Sequence, residues 1–130
     1  MKMNPVVHFE MPAKDMKRVA DFYTKVFGWQ NKMFGPEMDN YVLAMTTESD
    51  KNGPKKPGAI NGGFYKKMKG KPAQYPSVVI AVDDIKKHMK KVANAGGKVL
   101  GKPDMIPGVG WYVSFMDTEE NRVSLLQPTR

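Results

Sequence analysis

The chain has 130 residues, 41% of them hydrophobic and 26% charged, which is typical of one globular domain and excludes a disordered chain. It contains no cysteine, which excludes disulfides and thiolate chemistry and fits a reducing compartment. Because no apolar run is long enough to cross a bilayer or to form a signal peptide, we expect a cytoplasmic protein that makes no membrane contact.

The formal net charge of +8 raises the question of nucleic-acid binding. Lysines outnumber arginines and fall in predicted loops and on the outer side of a predicted helix. Since the chain has no recognition-helix pattern, zinc-finger spacing or aromatic RNA-binding motif, a solvated basic surface is favoured over a nucleic-acid site. Attraction of a small anionic substrate stays open. The lysines concerned are Lys55, Lys56, Lys66, Lys67, Lys69, Lys71, Lys86, Lys87, Lys90 and Lys91.

Residues 6–28 predict a strand followed by a helix. Alternation along residues 6–11 places Phe9 on one face of the strand and His8 and Glu10 on the other. Asp15 is suited to cap the helix, because a carboxylate accepts hydrogen bonds from first-turn amides, and Gly28 is suited to end it. Helical spacing predicts an apolar core stripe of Met16, Val19, Ala20, Tyr23, Val26 and Phe27.

Three more strands are predicted at residues 29–34, 41–46 and 58–65, with an exposed polar loop at residues 48–57. The opening pattern then returns. It comprises a strand at residues 78–82, a helix capped by Asp84 and ended by Gly96 and Gly97, and strands at residues 98–101, 111–116 and 122–127.

The two copies are in register. Asp84 and Gly97 each lie 69 residues after their counterparts Asp15 and Gly28. Two copies at so long a spacing indicate a duplicated strand–helix–three-strand module. The modules span about residues 4–67 and 76–128 of a single domain, residues 1–130.

Several short segments, in their order and spacing, resemble one protein family. They are His8-Phe9-Glu10-Met11-Pro12, Phe27-Gly28-Trp29, Pro57-Gly58-Ala59-Ile60, Val82-Asp83-Asp84-Ile85 and Phe115-Met116-Asp117. Together they resemble the vicinal oxygen chelate superfamily, which includes glyoxalase, bleomycin-resistance proteins and extradiol dioxygenases. The resemblance implies an α+β fold of two βαβββ modules that form a curved mixed sheet around a cavity. It also implies a homodimer, for which exposed sheet edges would allow pairing.

Metal-dependent members of that superfamily place ligands on the first and last strands of the modules. His8 matches the first position, but Ser77 stands where a histidine is expected and Ser124 where a glutamate is expected. The remaining position falls on Gly62 or Gly63, which have no side chain. Because a catalytic ion needs about three protein ligands, we expect no cofactor, with a divalent metal as the less favoured alternative.

Without a metal, His8 and Glu10 have two interpretations. They can form an acid–base pair, or His8 can be structural and hydrogen-bonded to Glu10 or to backbone. The structural interpretation is favoured, because no third group converges on the pair. His88 is expected on the surface of the second helix.

Aromatic side chains on the predicted strands are candidate walls of the cavity, although core or dimer-interface roles are equally open for each. The residues expected to contact a ligand are Trp29, Phe34, Tyr41, Phe64, Ser77, Trp111, Tyr112 and Ser124. Residues 117–121 predict a hairpin turn, in which Glu120 stands where the family usually has glycine.

Two classes of function follow from the resemblance. The first is a metal-free protein that binds a small molecule in an aromatic cavity, as drug-sequestering members do. The second is a glyoxalase-like lyase or isomerase, either metal-dependent or metal-free with His8 and Glu10. A regulatory or interaction module has no positive sign in the sequence.

Overall fold

The computed structural model describes residues 2–129, whose contacts divide them into two units. The first unit is His8–Pro76, and the second combines residues 2–7 with residues 77–129. Each unit contains a mixed sheet and one α-helix, which confirms the predicted α+β class. Within residues 2–129 no helix has both the length and the apolar character needed to span a membrane.

The first unit follows the predicted order of elements. They are β1 (Val6–Ala13), α1 (Met16–Phe27), β2 (Gln30–Met33), β3 (Val42–Met45), β4 (Ser49–Asp50), β5 (Gly53–Pro54) and β6 (Asn61–Lys66). The sheet runs β2-β3-β6-β1, and only the β1–β6 pair is parallel. The predicted exposed loop at residues 48–57 contains a small hairpin of β4 and β5 instead.

The second unit repeats this topology. Its elements are β7 (Ser77–Ala81), α2 (Ile85–Asn94), β8 (Lys98–Val99), β9 (Asp104–Ile106), β10 (Gly110–Met116) and β11 (Arg122–Pro128). The sheet runs β7-β11-β10-β8, with β9 also paired to β10, and only the β7–β11 pair is parallel. In both units the strand before the helix therefore lies beside the last strand, as a duplicated module requires.

Matching aspartates begin the two helices. The Asp15 carboxylate accepts a hydrogen bond from the Arg18 amide at 2.9 Å, and the Asp84 carboxylate accepts one from the Lys87 amide at 3.1 Å. Each satisfies an amide that has no partner inside its helix.

The C-terminal ends of the helices differ. Gly28 ends α1 in the left-handed conformation, with φ of 74°. After α2 the left-handed glycine is Gly96, with φ of 100°, and not Gly97. The 69-residue spacing therefore holds at the start of the helices but not at their ends.

Each helix packs on one face of its own sheet. The buried core residues between helix and sheet are Ala20, Val42, Ala44 and Phe64 in the first unit, and Val82, Ile85, Val113, Phe115 and Leu125 in the second. Tyr23 and Trp29 stack with ring centroids 4.7 Å apart beside the first core. The predicted core stripe is wrong at its last turn, since Val26 and Phe27 remain 54% and 61% exposed.

A tight turn joins β10 to β11, as predicted. The Asp117 carboxylate accepts hydrogen bonds from the Asn121 side chain and from the amides of Asn121 and Glu119, which lower the pKa of Asp117. Glu120 adopts the left-handed conformation, with φ of 64°, at the place where the resemblance implies a glycine.

Candidate functional site

One face of the first sheet, the His8 face, points away from α1. His8 and Glu10 lie on it, because Phe9 and Met11 alternate with them and pack on the helix side. The neighbouring strand β6 contributes Gly63, which pairs with Glu10 in the parallel ladder. The sequence pattern along β1 thus predicts correctly which side chains share this face.

Tyr41 completes the His8 face. Its hydroxyl lies 3.2 Å from His8 Nε2, where either atom can donate depending on the imidazole tautomer. The phenol also lies over Gly63, in the space that any Cβ at this position would occupy. On the opposite side of the strand, the Phe9 ring occupies the space that a Cβ at Gly62 would need. The bare backbone of β6 is therefore what allows two aromatic rings to approach it.

The His8 face holds a neutral imidazole and a buried carboxylate. Burial lowers the pKa of His8 to about 4, since the charged form loses its hydration. Glu10 is only 8% exposed. An imidazole that stays neutral at pH 7 can accept or donate one hydrogen bond, and the phenol of Tyr41 can do the same. These groups can orient a polar ligand without carrying a positive charge.

The aromatic residues of the first unit that were predicted to line a cavity lie in three different places. Tyr41 lies on the His8 face. Phe34 lines a shallow depression of about 400 Å³ with Lys14 and Lys66. Trp29 and Phe64 pack on the helix side, where Phe64 is fully buried, so the structure does not place these two rings on the His8 face.

In the second unit, Tyr112 and Ser124 lie close together, with 2.8 Å between their hydroxyl oxygens. We call this surface, which points away from α2, the Ser124 face. Ser77 is half-buried two residues before Val79, the ladder partner of Ser124, and so shares that face. Trp111 alternates with Tyr112 and is 39% exposed, so it does not share the face with Ser124.

His88 is half-buried, contrary to the expectation of plain surface exposure. Its Nδ1 lies 3.2 Å from the carbonyl oxygen of Asp84, and its Nε2 lies 3.2 Å from the side-chain amide of Asn4. These contacts attach the N-terminal segment to the start of α2, which is a structural role.

The parallel ladder places Asn61, rather than Gly62 or Gly63, opposite His8. The Asn61 amide is already engaged, since its oxygen accepts from the Thr46 amide at 2.9 Å and its nitrogen donates to Ser49 Oγ at 2.8 Å. Sequence reasoning missed Asn61 because the register of two strands so distant in sequence has no local signal.

The strand ends that carry His8 and Ser77 and their ladder partners offer few of the side chains that bind divalent metal ions. The first unit supplies His8 and the engaged amide of Asn61. In the second unit β7 and β11 begin at Ser77 and Arg122, which offer a hydroxyl and a permanently charged guanidinium. Among residues 2–129 no three His, Cys, Asp or Glu side chains are grouped as a metal ion would need.

Comparison with known proteins supports the fold. A family model described as the Glyoxalase/Bleomycin resistance protein/Dioxygenase superfamily matches residues 6–125. A glyoxylase-like domain-containing protein of Didymella fabae is 32% identical over 117 residues, which cover 86% of this chain and 84% of that protein.

Two solved structures show the same fold at low sequence identity. A Streptomyces coelicolor methylmalonyl-CoA epimerase in complex with 2-nitronate-propionyl-CoA aligns with a TM-score of 0.71 and 13% identity, over 99% of this chain and 100% of that one. A hypothetical protein from Bacillus halodurans aligns with a TM-score of 0.70 and 12% identity, over 99% and 97% of the two chains.

Proposed function

The chain belongs to the Glyoxalase/Bleomycin resistance protein/Dioxygenase superfamily, and we propose that it binds a small organic molecule at the His8 face without a resident metal ion. The observation that carries this proposal is the contact between His8 and Tyr41 above Gly63. It gives the face two adjacent hydrogen-bonding groups that are both neutral at pH 7.

The chemistry of these groups supports binding. Ligand sites combine apolar or aromatic walls with a few polar groups that fix orientation. The His8 face has this composition, with the phenol ring of Tyr41 beside the imidazole of His8. The net charge of +8 would attract an anionic ligand toward the protein.

A metal-free lyase or isomerase is the second candidate function. It is favoured by the placement of Glu10 on the same face as His8, where a carboxylate can act as an acid or a base. Binding is preferred over catalysis because a general base works best with a pKa near the working pH. The pKa of His8, about 4, lies well below that value.

The test uses thermal-shift screening against a panel of metabolites and antibiotics, followed by calorimetry on each compound that stabilises the protein. We expect His8→Ala to weaken binding while the protein still folds, because the imidazole is one of the two hydrogen-bonding groups on the face. His88→Ala is the matched control and should bind as the wild type does. A fold that collapses in His8→Ala would support the purely structural role of His8 instead.

One measurement separates binding from catalysis, and a second tests for a bound metal ion. Hits that carry an acidic C–H group are incubated in deuterated water, and proton exchange is followed by NMR. Exchange that His8→Ala or Glu10→Gln abolishes would establish the enzyme rather than the binding protein. Elemental analysis of protein purified without chelator should give less than one equivalent of Ni, Zn, Mn or Fe, and one tightly held ion per chain would overturn the metal-free proposal.

A further inference from the structure

The depression of about 400 Å³ beside the start of α1 is a cavity of the first unit that the proposed function does not use, and we call it the Lys66 depression. Lys66 is two residues after Phe64 on β6, so it points to the same side of the sheet as that core ring. Met16, the first residue of α1, also lines the depression. The depression therefore lies on the α1 side of the first sheet and is separate from the His8 face.

Two positive charges of the Lys66 depression have no acidic partner. Ala13, the neighbour of Lys14, pairs with Lys66 in the parallel ladder, so ordered backbone holds the two lysines beside each other. Within the part of the chain that the structure describes, neither lysine forms an ion pair. Asp15 also lines the depression, but its carboxylate accepts from the Arg18 amide at 2.9 Å and lies 4.0 Å from the Arg18 guanidinium. Two adjacent ammonium groups without a counter-charge favour the binding of an anion.

The duplication shows which residue the second unit has at the place of Lys66. In the first unit Lys66 pairs with Ala13. In the second unit Ala81 pairs with Leu126, so the next residue, Gln127, lies opposite the residue that follows Ala13 by the 69-residue spacing. Lys66 and Gln127 thus hold the same place in the two units.

Gln127 has a structural role that Lys66 cannot take. The Gln127 side-chain oxygen accepts a hydrogen bond at 2.9 Å from the amide of Ile85, the first residue of α2. Ile85 corresponds to Met16, which lines the Lys66 depression. Because an ammonium group has no acceptor, Lys66 cannot satisfy the Met16 amide in this way. The fold therefore does not explain the lysine at this place, and its charge points to a ligand.

The Lys66 depression also offers apolar surface. Met16 and Phe34 are both half-buried in its lining. The Lys32 ammonium lies 5.2 Å from the centroid of the Phe34 ring, so positive charge adjoins the ring as well. Asn40 adds a side-chain amide that can donate hydrogen bonds. Cationic donors next to an aromatic ring suit a ligand that joins an anionic group to an apolar one.

We propose that the Lys66 depression binds a phosphate monoester, with the phosphate between Lys14 and Lys66 and the apolar or aromatic group on Phe34. A phosphate monoester carries about two negative charges at pH 7 and several acceptor oxygens, which match two ammonium groups and the amide donors beside them. A carboxylate carries less charge and would leave one ammonium group unmatched. The site lies outside the His8 face and goes beyond the proposed function.

The test is an NMR titration with phenyl phosphate, with benzyl alcohol as the neutral compound and benzoate as the anion of lower charge. Phenyl phosphate should shift the backbone amides of Met16 and Phe34 in a saturable way and bind at least about tenfold more tightly than either comparison compound. Lys66→Gln should weaken this binding by about tenfold or more. The variant should fold, since the second unit has glutamine at this place. Lys90→Gln, at an exposed lysine of α2, is the control for loss of one positive charge.

Further variants test the two parts of the ligand separately. Lys66→Arg keeps the charge and should retain most of the affinity, whereas Lys14→Gln should lose affinity as Lys66→Gln does. Phe34→Leu should weaken the binding of phenyl phosphate and leave that of inorganic phosphate unchanged. Equal effects of Lys66→Gln and Lys90→Gln would show general attraction of anions and overturn the site. Benzoate that binds as tightly as phenyl phosphate would overturn the assignment to phosphate.

Soluble esters and phospholipid headgroups share this chemistry, and vesicles that contain phosphatidic acid distinguish them. Co-sedimentation with such vesicles that Lys66→Gln abolishes, without saturable binding of phenyl phosphate, would assign a lipid headgroup and overturn the small-molecule site.

Failure of this site is distinguishable from failure of the proposed function. His8→Ala should leave phenyl phosphate binding unchanged, and loss of that binding in His8→Ala would overturn a separate site at the Lys66 depression. Absence of saturable phenyl phosphate binding would also overturn the site, while compounds that bind through His8 in the thermal-shift panel would still support the proposed function.

Discussion

The phenol oxygen of Tyr41 lies over the α-carbon of Gly63, in the space that a side chain at residue 63 would need. We expect Gly63→Ala to destabilise the protein by about 1–3 kcal/mol, the usual cost of forcing an extra methyl group into a packed site. Urea unfolding of the variant and the wild type measures this difference.

Removing the tyrosine provides the control. In a Tyr41→Ala background the same Gly63→Ala change should cost almost nothing, because the ring that it meets is gone. Equal costs in the two backgrounds would mean that the glycine is required for its backbone and not for the approach of Tyr41.

Stability should depend on pH through His8. Its folded pKa of about 4 lies below the usual histidine value of 6.5, so between these values the unfolded chain binds more protons than the folded one. The effect of His8 on the free energy of unfolding is absent above pH 6.5. As the pH falls from 6.5 to about 4, His8 destabilises the fold progressively, by about 2–3 kcal/mol at the lower value.

Urea midpoints measured at pH 7.5 and pH 4.5 test this dependence. His8→Gln should flatten the profile in that range. A profile unchanged by His8→Gln would show that the imidazole is accessible to water in the folded protein.

The two helix caps should be equivalent. Asp15→Ala and Asp84→Ala should each cost about 1 kcal/mol, because each leaves a first-turn amide without its acceptor. The corresponding serine variants keep an acceptor at the same place and should recover most of the loss. Amide exchange at Arg18 and Lys87 would show directly whether each cap is lost in its own helix.

Glu120 offers a stabilising substitution. Its φ of 64° is unfavourable for a residue with a Cβ and neutral for glycine. Glu120→Gly should therefore raise the unfolding free energy by up to about 1 kcal/mol, as measured by chemical denaturation. Glu119→Gly is the matched control and should destabilise, since that residue lacks a positive φ. A loss of stability in Glu120→Gly would indicate that the glutamate side chain contributes more than its backbone strain costs.

Most of the fold could be predicted from sequence patterns within single helices and strands. Asp15 and Asp84 marked the helix starts, and alternation placed His8 and Glu10 together, because both signals act over a few residues. The hairpin of β4 and β5 was missed because two-residue strands are too short to show a period.

Relations between distant strands could not be predicted in the same way. Phe64 was expected to face a ligand but lies in the helix-side core, since its face depends on the β1–β6 register.

At Gly62 and Gly63, β6 has no side chains, so Phe9 packs directly on one side of its backbone and Tyr41 on the other. A displacement of Tyr41 by an incoming molecule would be transmitted through this thin stretch to Phe9, whose ring centroid lies 5.6 Å from that of Trp29. The indole fluorescence of Trp29 would then change when a ligand occupies the His8 face, although Trp29 does not lie on that face.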